Sequence, residues 1–105
     1  MVASIGVALS QLTTLGLGGP ARRFARVASV DELTETLRTD EPVLVLGGGS
    51  NLVVGDAGWD GLVVQLAIPG VHIAPDGDGA LVTVGAGVVW DELVAETIDA
   101  GLVGL

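Results

Sequence analysis

Apolar and polar positions along this chain follow two periods, one of strands and one of helices. Arg23 to Ala28 alternates weakly and predicts a first strand. Ser29 followed by Glu32 has capping-box spacing and predicts a helix running to about Arg38, with Val30, Leu33 and Leu37 on one face. Asp40-Glu41-Pro42 ends it. Val43-Leu-Val-Leu46 is four apolar residues in a row, two of them β-branched, and reads as a short strand buried on both faces. Leu62 to Leu66 predicts a third strand, bounded by Gly61 and by Pro69-Gly70. Val71–Ala74 and Ala80–Gly85 predict a hairpin around Pro75-Asp-Gly-Asp-Gly79, a turn made of breakers. Val89 to Ala100 returns to the helical period, with Val89, Leu93, Val94, Thr97 and Ile98 on the apolar face and Gly101 beyond the end. This order of elements predicts an α+β fold, a mixed α/β layer with helices packed on a small sheet. Residues 1–105 form one small domain in this reading, with residues 1–11 a loosely ordered N-terminal segment.

The strand at Val43–Leu46 runs into Gly47-Gly48-Gly49-Ser50-Asn51-Leu52. Three glycines let the backbone turn sharply and present its N–H groups with no Cβ in the way. A strand entering such a loop is a common way to bring backbone against a phosphate or pyrophosphate. Two familiar phosphate motifs do not fit. A P-loop ends in Gly-Lys-Ser/Thr, and the chain has no lysine. The dinucleotide fingerprint G-x-G-x-x-G begun at Gly47 meets Leu52 at its sixth position, and begun at Gly85 it meets Trp90. The residues after Leu52 are also too rich in turn formers to open a helix.

Composition narrows the function classes. Only three residues are aromatic, so the core must be built from Val, Leu, Ile and Ala. Charge is unevenly distributed: Arg22, Arg23 and Arg26 precede Asp31, and all thirteen acids lie at Asp31 or beyond. The net charge of −9 argues against nucleic acid as a partner, yet a nest of backbone N–H groups can still hold one pyrophosphate. The three clustered arginines either assist such a group or form a solvated strand edge. There is no cysteine, and therefore no disulfide or thiolate metal site. No apolar run reaches the roughly 18 residues of a membrane helix, and no signal peptide opens the chain, so a cytoplasmic location is the expectation.

Leu46-Gly-Gly-Gly-Ser-Asn51, with Asp56 and Gly61 after it, resembles the pyrophosphate loop of the UDP-N-acetylenolpyruvoylglucosamine reductase family. Three further stretches match that family in order: Leu12-Thr-Thr14 with Gly18-Gly-Pro-Ala21; Val84-Gly-Ala-Gly87 with Trp90 and Leu93; and Gly101-Leu-Val-Gly-Leu105. Thr13 departs from the family's usual asparagine. The resemblance implies an FAD-binding subdomain of the vanillyl-alcohol-oxidase type, a flavoprotein oxidoreductase of peptidoglycan synthesis. NADPH is then the hydride donor and a UDP-sugar the substrate. The cofactor contacts it implies are Gly47, Gly48, Gly49, Ser50, Asn51 and Leu52, joined by Gly85 and Ala86. Family members run to two or three times this length. Their catalytic arginine, serine and glutamate have no matching positions here, so no catalytic residue is assigned. The UDP-sugar domain would lie outside this stretch. The 105 residues alone are then expected to be inactive, to hold flavin weakly and to be prone to self-association. The alternative is a stand-alone binding or interaction module that keeps the fold without the chemistry.

Other candidates are weaker. His72 lacks a partner at metal spacing, and the Asp56/Asp60 and Asp76/Asp78 pairs lack the pattern of a calcium loop, so no metal is expected. Ser50 has no accompanying base and is not a nucleophile. Trp59 reads as a cap on a small core or a stacking platform. Gly85-Ala86-Gly87 reads equally as close approach to a flavin or as tight helix-on-strand packing.

Overall fold

The structure is a computed structural model that describes residues 3–12, 16, 18–48 and 54–105. The described elements are β1 (Ala3–Ala8), a 3-10 turn (Leu9–Gln11), β2 (Pro20–Val27), α1 (Val30–Thr36), β3 (Val43–Leu46), β4 (Trp59–Leu66), β5 (Val71–Asp76), β6 (Gly79–Val84) and α2 (Trp90–Asp99). Four strands form one sheet in the order β1-β2-β4-β3, and β5 pairs with β6 separately. β1 runs antiparallel to β2, whereas β2, β3 and β4 are mutually parallel. β4 thus inserts between two strands that precede it in sequence. Its Leu62, Val63 and Val64 are fully buried.

Alternation along the parallel strands divides the core between the two faces of the sheet. Leu9, Ala21, Leu46 and Val63 pack on one face, with Leu12, Phe24, Leu44, Val54 and Trp59 around them. On the other, Ala25, Val27, Leu62 and Val64 pack with Val43, Leu66 and Leu33 of α1. Each fully buried Leu or Val contributes roughly 1.5–3 kcal/mol.

The α+β class expected from the sequence holds, and several details differ. Residues 3–8, expected within a loose segment, form β1 against β2. Their sequence carries no clear alternation, so the neighbouring strand supplies the order. β3 has the expected bounds but is not buried on both faces: Val45 is 54% exposed, because only β4 pairs with this strand among the described residues. Full burial belongs to β4, which begins at Trp59 rather than Leu62.

Both helices start as expected and bury narrower stripes than the apolar pattern suggests. Ser29 caps α1, its Oγ accepting from the Glu32 N–H at 3.1 Å, and the Glu32 carboxylate accepts in return from the Ala28 N–H at 3.4 Å. Leu33 and Thr36 face inward while Val30 and Leu37 stay exposed. Leu93 and Thr97 are the buried positions of α2, whereas Val89 and Ile98 are exposed. α2 ends in a Schellman arrangement in which Gly101, at φ +77°, donates to the Ile98 carbonyl and Leu102 donates to that of Thr97. The hairpin turn is tighter than the breaker run implied. Asp76 pairs with Gly79, and Gly77 takes φ +59° at the first central position, as a type II′ turn requires.

The segment between β6 and α2 is fixed by backbone contact. Gly85 and Gly87 donate to the carbonyls of Gly70 and Ile68 at 2.8 and 2.9 Å. A comparable contact sits under the main sheet, where Pro42 O accepts from the Leu62 N–H at 2.9 Å. That carbonyl lies 2.3 Å from where a Cβ on Gly61 would be. Gly61→Ala should therefore destabilise the protein by about 1–3 kcal/mol in urea unfolding. Gly55→Ala, whose Cβ meets open space, should stay within about 0.5 kcal/mol of the parent.

Candidate functional site

The carboxyl end of β3 opens onto Gly47 and Gly48. Both are exposed, and a Cβ on either would meet nothing within 4 Å among the described residues. The backbone here is therefore accessible without being required by internal packing. The expected contacts Gly49, Ser50, Asn51 and Leu52 lie outside the described residues, as do Thr13 and Thr14.

The chain that returns from this loop is held tightly. Gly19 donates to the Gly55 carbonyl at 2.9 Å, and Gly58 donates to the same carbonyl at 3.0 Å. A Cβ on Gly19 would lie 1.9 Å from Asp56 O, and one on Gly58 would lie 1.9 Å from Pro20 O. These glycines exist for backbone-to-backbone approach. The Gly18–Ala21 stretch and the segment around Asp56, both singled out in the sequence, meet in this contact. The loop is consequently anchored at its start by β3 and at its return by β2 and the strand's approach.

Gly48 faces a cleft of about 600 Å³ whose other lining, among the described residues, is residues 86–91. This cleft joins the glycine loop to the Gly85-Ala86-Gly87 turn and the start of α2. Within the turn, Gly85 and Gly87 serve close packing, for a Cβ on either would come within 2.4 Å of the backbone of residues 67–69. Ala86 is exposed and lines the cleft with Gly87. Val88, Val89 and Asp91 also line it, and the sequence reading assigned none of them to a site. The signal available was their position directly after the second glycine turn.

Two of the three clustered arginines are engaged elsewhere. Arg22 Nη2 lies 2.6 Å from Glu41 Oε1, and Arg23 Nη1 pairs with Glu41 Oε2. Thr39 Oγ1 donates to Glu41 Oε2 at 3.1 Å, and the Glu41 N–H donates back to Thr39 Oγ1 at 3.2 Å. Strand register puts Arg23, Leu62 and Val43 in one row, at the end of β3 opposite the glycines. These two arginines thus tie the α1–β3 connection to β2. Arg26 instead shares a row with Gln65 and Leu46 and is exposed near the carboxyl ends of the strands. Trp59 is half-buried against the core, and its Nε1–H donates to Pro42 O at 3.3 Å. His72 is exposed in β5.

Residues 21–104 match the family described as FAD binding domain. The chain belongs to the FAD-binding domain family. Its relatives include UDP-N-acetylenolpyruvoylglucosamine reductases from Thermobifida fusca and Cutibacterium acnes. The first is 49% identical over 94% of this chain and 29% of the relative, the second 48% identical over 93% and 27%. The crystal structure of UDP-N-acetylenolpyruvylglucosamine reductase from Thermus caldophilus superposes with a TM-score of 0.72 at 36% identity, covering all of this chain and 36% of that one. The chain therefore spans less than a third of the length of these curated relatives. The cofactor of the family is FAD, and the described residues suit part of one. A Cβ on Gly48 would meet open space, and no cationic residue lines the cleft among the described residues.

The arginine cluster makes stability depend on acid. Hydrogen bonding from Arg22 holds the Glu41 carboxyl below the usual carboxylate range, with help from Thr39 and Arg23. A lowered folded-state pKa stabilises the fold above the unfolded value of about 4.3, and that contribution disappears as pH falls through the folded value. Glu41→Gln should lower the melting temperature at pH 7, and the gap between variant and parent should begin to narrow below about pH 4.3 and close as pH falls past the lower folded-state value. A gap independent of pH would contradict the charged pairing.

Proposed function

We propose that this chain forms the pyrophosphate-binding part of the FAD site in a UDP-N-acetylenolpyruvoylglucosamine reductase. The observation that carries the reading is Gly48, which stands at the carboxyl end of a parallel strand with its backbone open to a cleft shared with Ala86. Ligands of open parallel sheets bind beyond the carboxyl ends of the strands, where loop amides converge. In sequence, Gly48 is followed by Gly49, Ser50 and Asn51, three further glycine or small polar positions.

The chemistry that FAD supplies in such an enzyme is hydride transfer from NADPH to the enolpyruvyl double bond of a UDP-sugar in peptidoglycan synthesis. In this stretch the contribution is binding and orientation. On this reading Gly47 and Gly48, with Gly49, Ser50, Asn51 and Leu52, present N–H groups to the pyrophosphate; Ala86 lines the facing wall, and its neighbour Gly85 is packed against residues 68–69 behind it. The strongly acidic remainder of the chain makes this neutral backbone cradle the appropriate anion site, since an anion is drawn by local N–H dipoles even where the long-range field opposes it. No residue here is given a catalytic role, and a cytoplasmic setting fits the nucleotide-linked substrates.

Gly48→Val tests the reading directly. Among the described residues the new Cβ meets no atom within 4 Å, so the melting temperature should stay within about 1 °C of the parent. FAD affinity, measured by flavin fluorescence or equilibrium dialysis, should fall at least tenfold, which corresponds to about 1.4 kcal/mol. Unchanged affinity in a folded variant would remove the glycine loop from the site and favour a module that keeps the fold without the cofactor.

A further inference from the structure

Asp-Gly occurs at three places in the chain, Asp60-Gly61, Asp76-Gly77 and Asp78-Gly79. The dipeptide carries its own reaction. With no Cβ on the glycine, the glycine nitrogen can reach the carboxyl carbon of the preceding aspartate and close a five-membered imide. The fold places the three nitrogens differently. Gly61 is buried in the interior strand β4, where a Cβ would lie 2.3 Å from Pro42 O and the next amide, that of Leu62, donates to the same carbonyl. Gly79 opens β6 and pairs with Asp76 across the closed end of the hairpin. Gly77 belongs to neither strand. It stands at the first central position of the turn with φ +59°, exposed, and among the described residues a Cβ there would meet nothing within 4 Å. Asp76 before it is exposed as well.

We propose that Asp76-Gly77 is a site of spontaneous covalent modification, at which Asp76 isomerises to isoaspartate through a succinimide. The Gly77 nitrogen attacks Cγ of the protonated Asp76 carboxyl. The N–Cγ bond forms, the Cγ–OH bond breaks, and the amide proton leaves with the hydroxyl as one water. Water then adds to either imide carbonyl. Breaking the N–Cγ bond restores aspartate, whereas breaking the bond from nitrogen to the original main-chain carbonyl carbon leaves isoaspartate. Formula and charge are unchanged, and water is the only co-reactant. The product carries one extra carbon in the main chain at the residue that pairs with Gly79, so it breaks the register that a two-residue turn imposes. Among the described residues β5 and β6 have no third strand, and a two-stranded hairpin is marginal in water by itself. Isomerisation therefore loosens the hairpin from its closed end and leaves the four-stranded sheet intact.

The test is to hold the purified protein for several weeks in warm, mildly acidic buffer and to map isoaspartate in its chymotryptic peptides by electron-transfer fragmentation. Because Gly61 must leave the sheet before its nitrogen can attack, isoaspartate should build up at Asp76 at least about tenfold faster than at Asp60. The pairing of Gly79 should keep Asp78 at least about threefold slower than Asp76. In strong denaturant the three rates should converge, since the folded setting is then gone. Asp76→Glu keeps the charge and cannot close the five-membered ring. That variant should lose most of the total isoaspartate, read by enzymatic methylation of isoaspartyl groups, with its melting temperature unchanged. Aged parent protein should lose hydrogen-exchange protection in β5 and β6 and keep it in β2 and β4, whereas aged Asp76→Glu should keep both. Equal rates at the three sites in the folded protein, a maximum at Asp60 or Asp78, or isoaspartate at Asp76 only in denaturant would each overturn the proposal.

Discussion

The insertion of β4 between β2 and β3 is the constraint on which the site depends. β4 is bonded on both sides by parallel strands and buries Leu62, Val63 and Val64 completely, so its register determines theirs. A one-residue slip would turn Leu46 out of the core and Val45 into it. The contact of Pro42 with Gly61 and Leu62 fixes that register at the start of β3, and β3 is only four residues long. Whatever sets its start therefore sets where Gly47 and Gly48 emerge. The Glu41 pairing with Arg22 and Arg23 reinforces the same end from the other side of the strand connection.

The glycines divide into two physical kinds. Gly19, Gly58, Gly61, Gly85 and Gly87 are places where backbone touches backbone, and a side chain would force chain segments apart. Gly47 and Gly48 have no such internal reason. An exposed glycine that the fold does not need is destabilising through its entropy in the unfolded chain. On the reading proposed above, its presence at the carboxyl end of a parallel strand answers to the FAD pyrophosphate that must approach the backbone, FAD being the cofactor of the family.

Much of this was legible in the sequence because local rules agreed with the fold. The Ser29 cap, the Val43–Leu46 strand, the hairpin turn and the Gly101 helix end each follow from one or two residues with strong local preferences. What escaped was long-range. β1 has little local signal and is ordered by β2; Val45 is exposed because of β3's place in the sheet; the arginines meet Glu41 from 18 and 19 residues away. Helix faces were read too wide for a similar reason, since periodicity marks apolar positions without showing how much surface a neighbour covers. The glycine loop itself was evident, whereas the wall opposite it was visible only as a second glycine turn. Their juxtaposition across one cleft required the fold.

The most direct measurement is a crystal structure of the full-length protein with FAD bound. The account predicts pyrophosphate oxygens within about 3 Å of backbone nitrogens in the segment beginning at Gly47 and Gly48, the normal N–H···O range. A pyrophosphate seated elsewhere, with those glycine amides facing solvent, would contradict it.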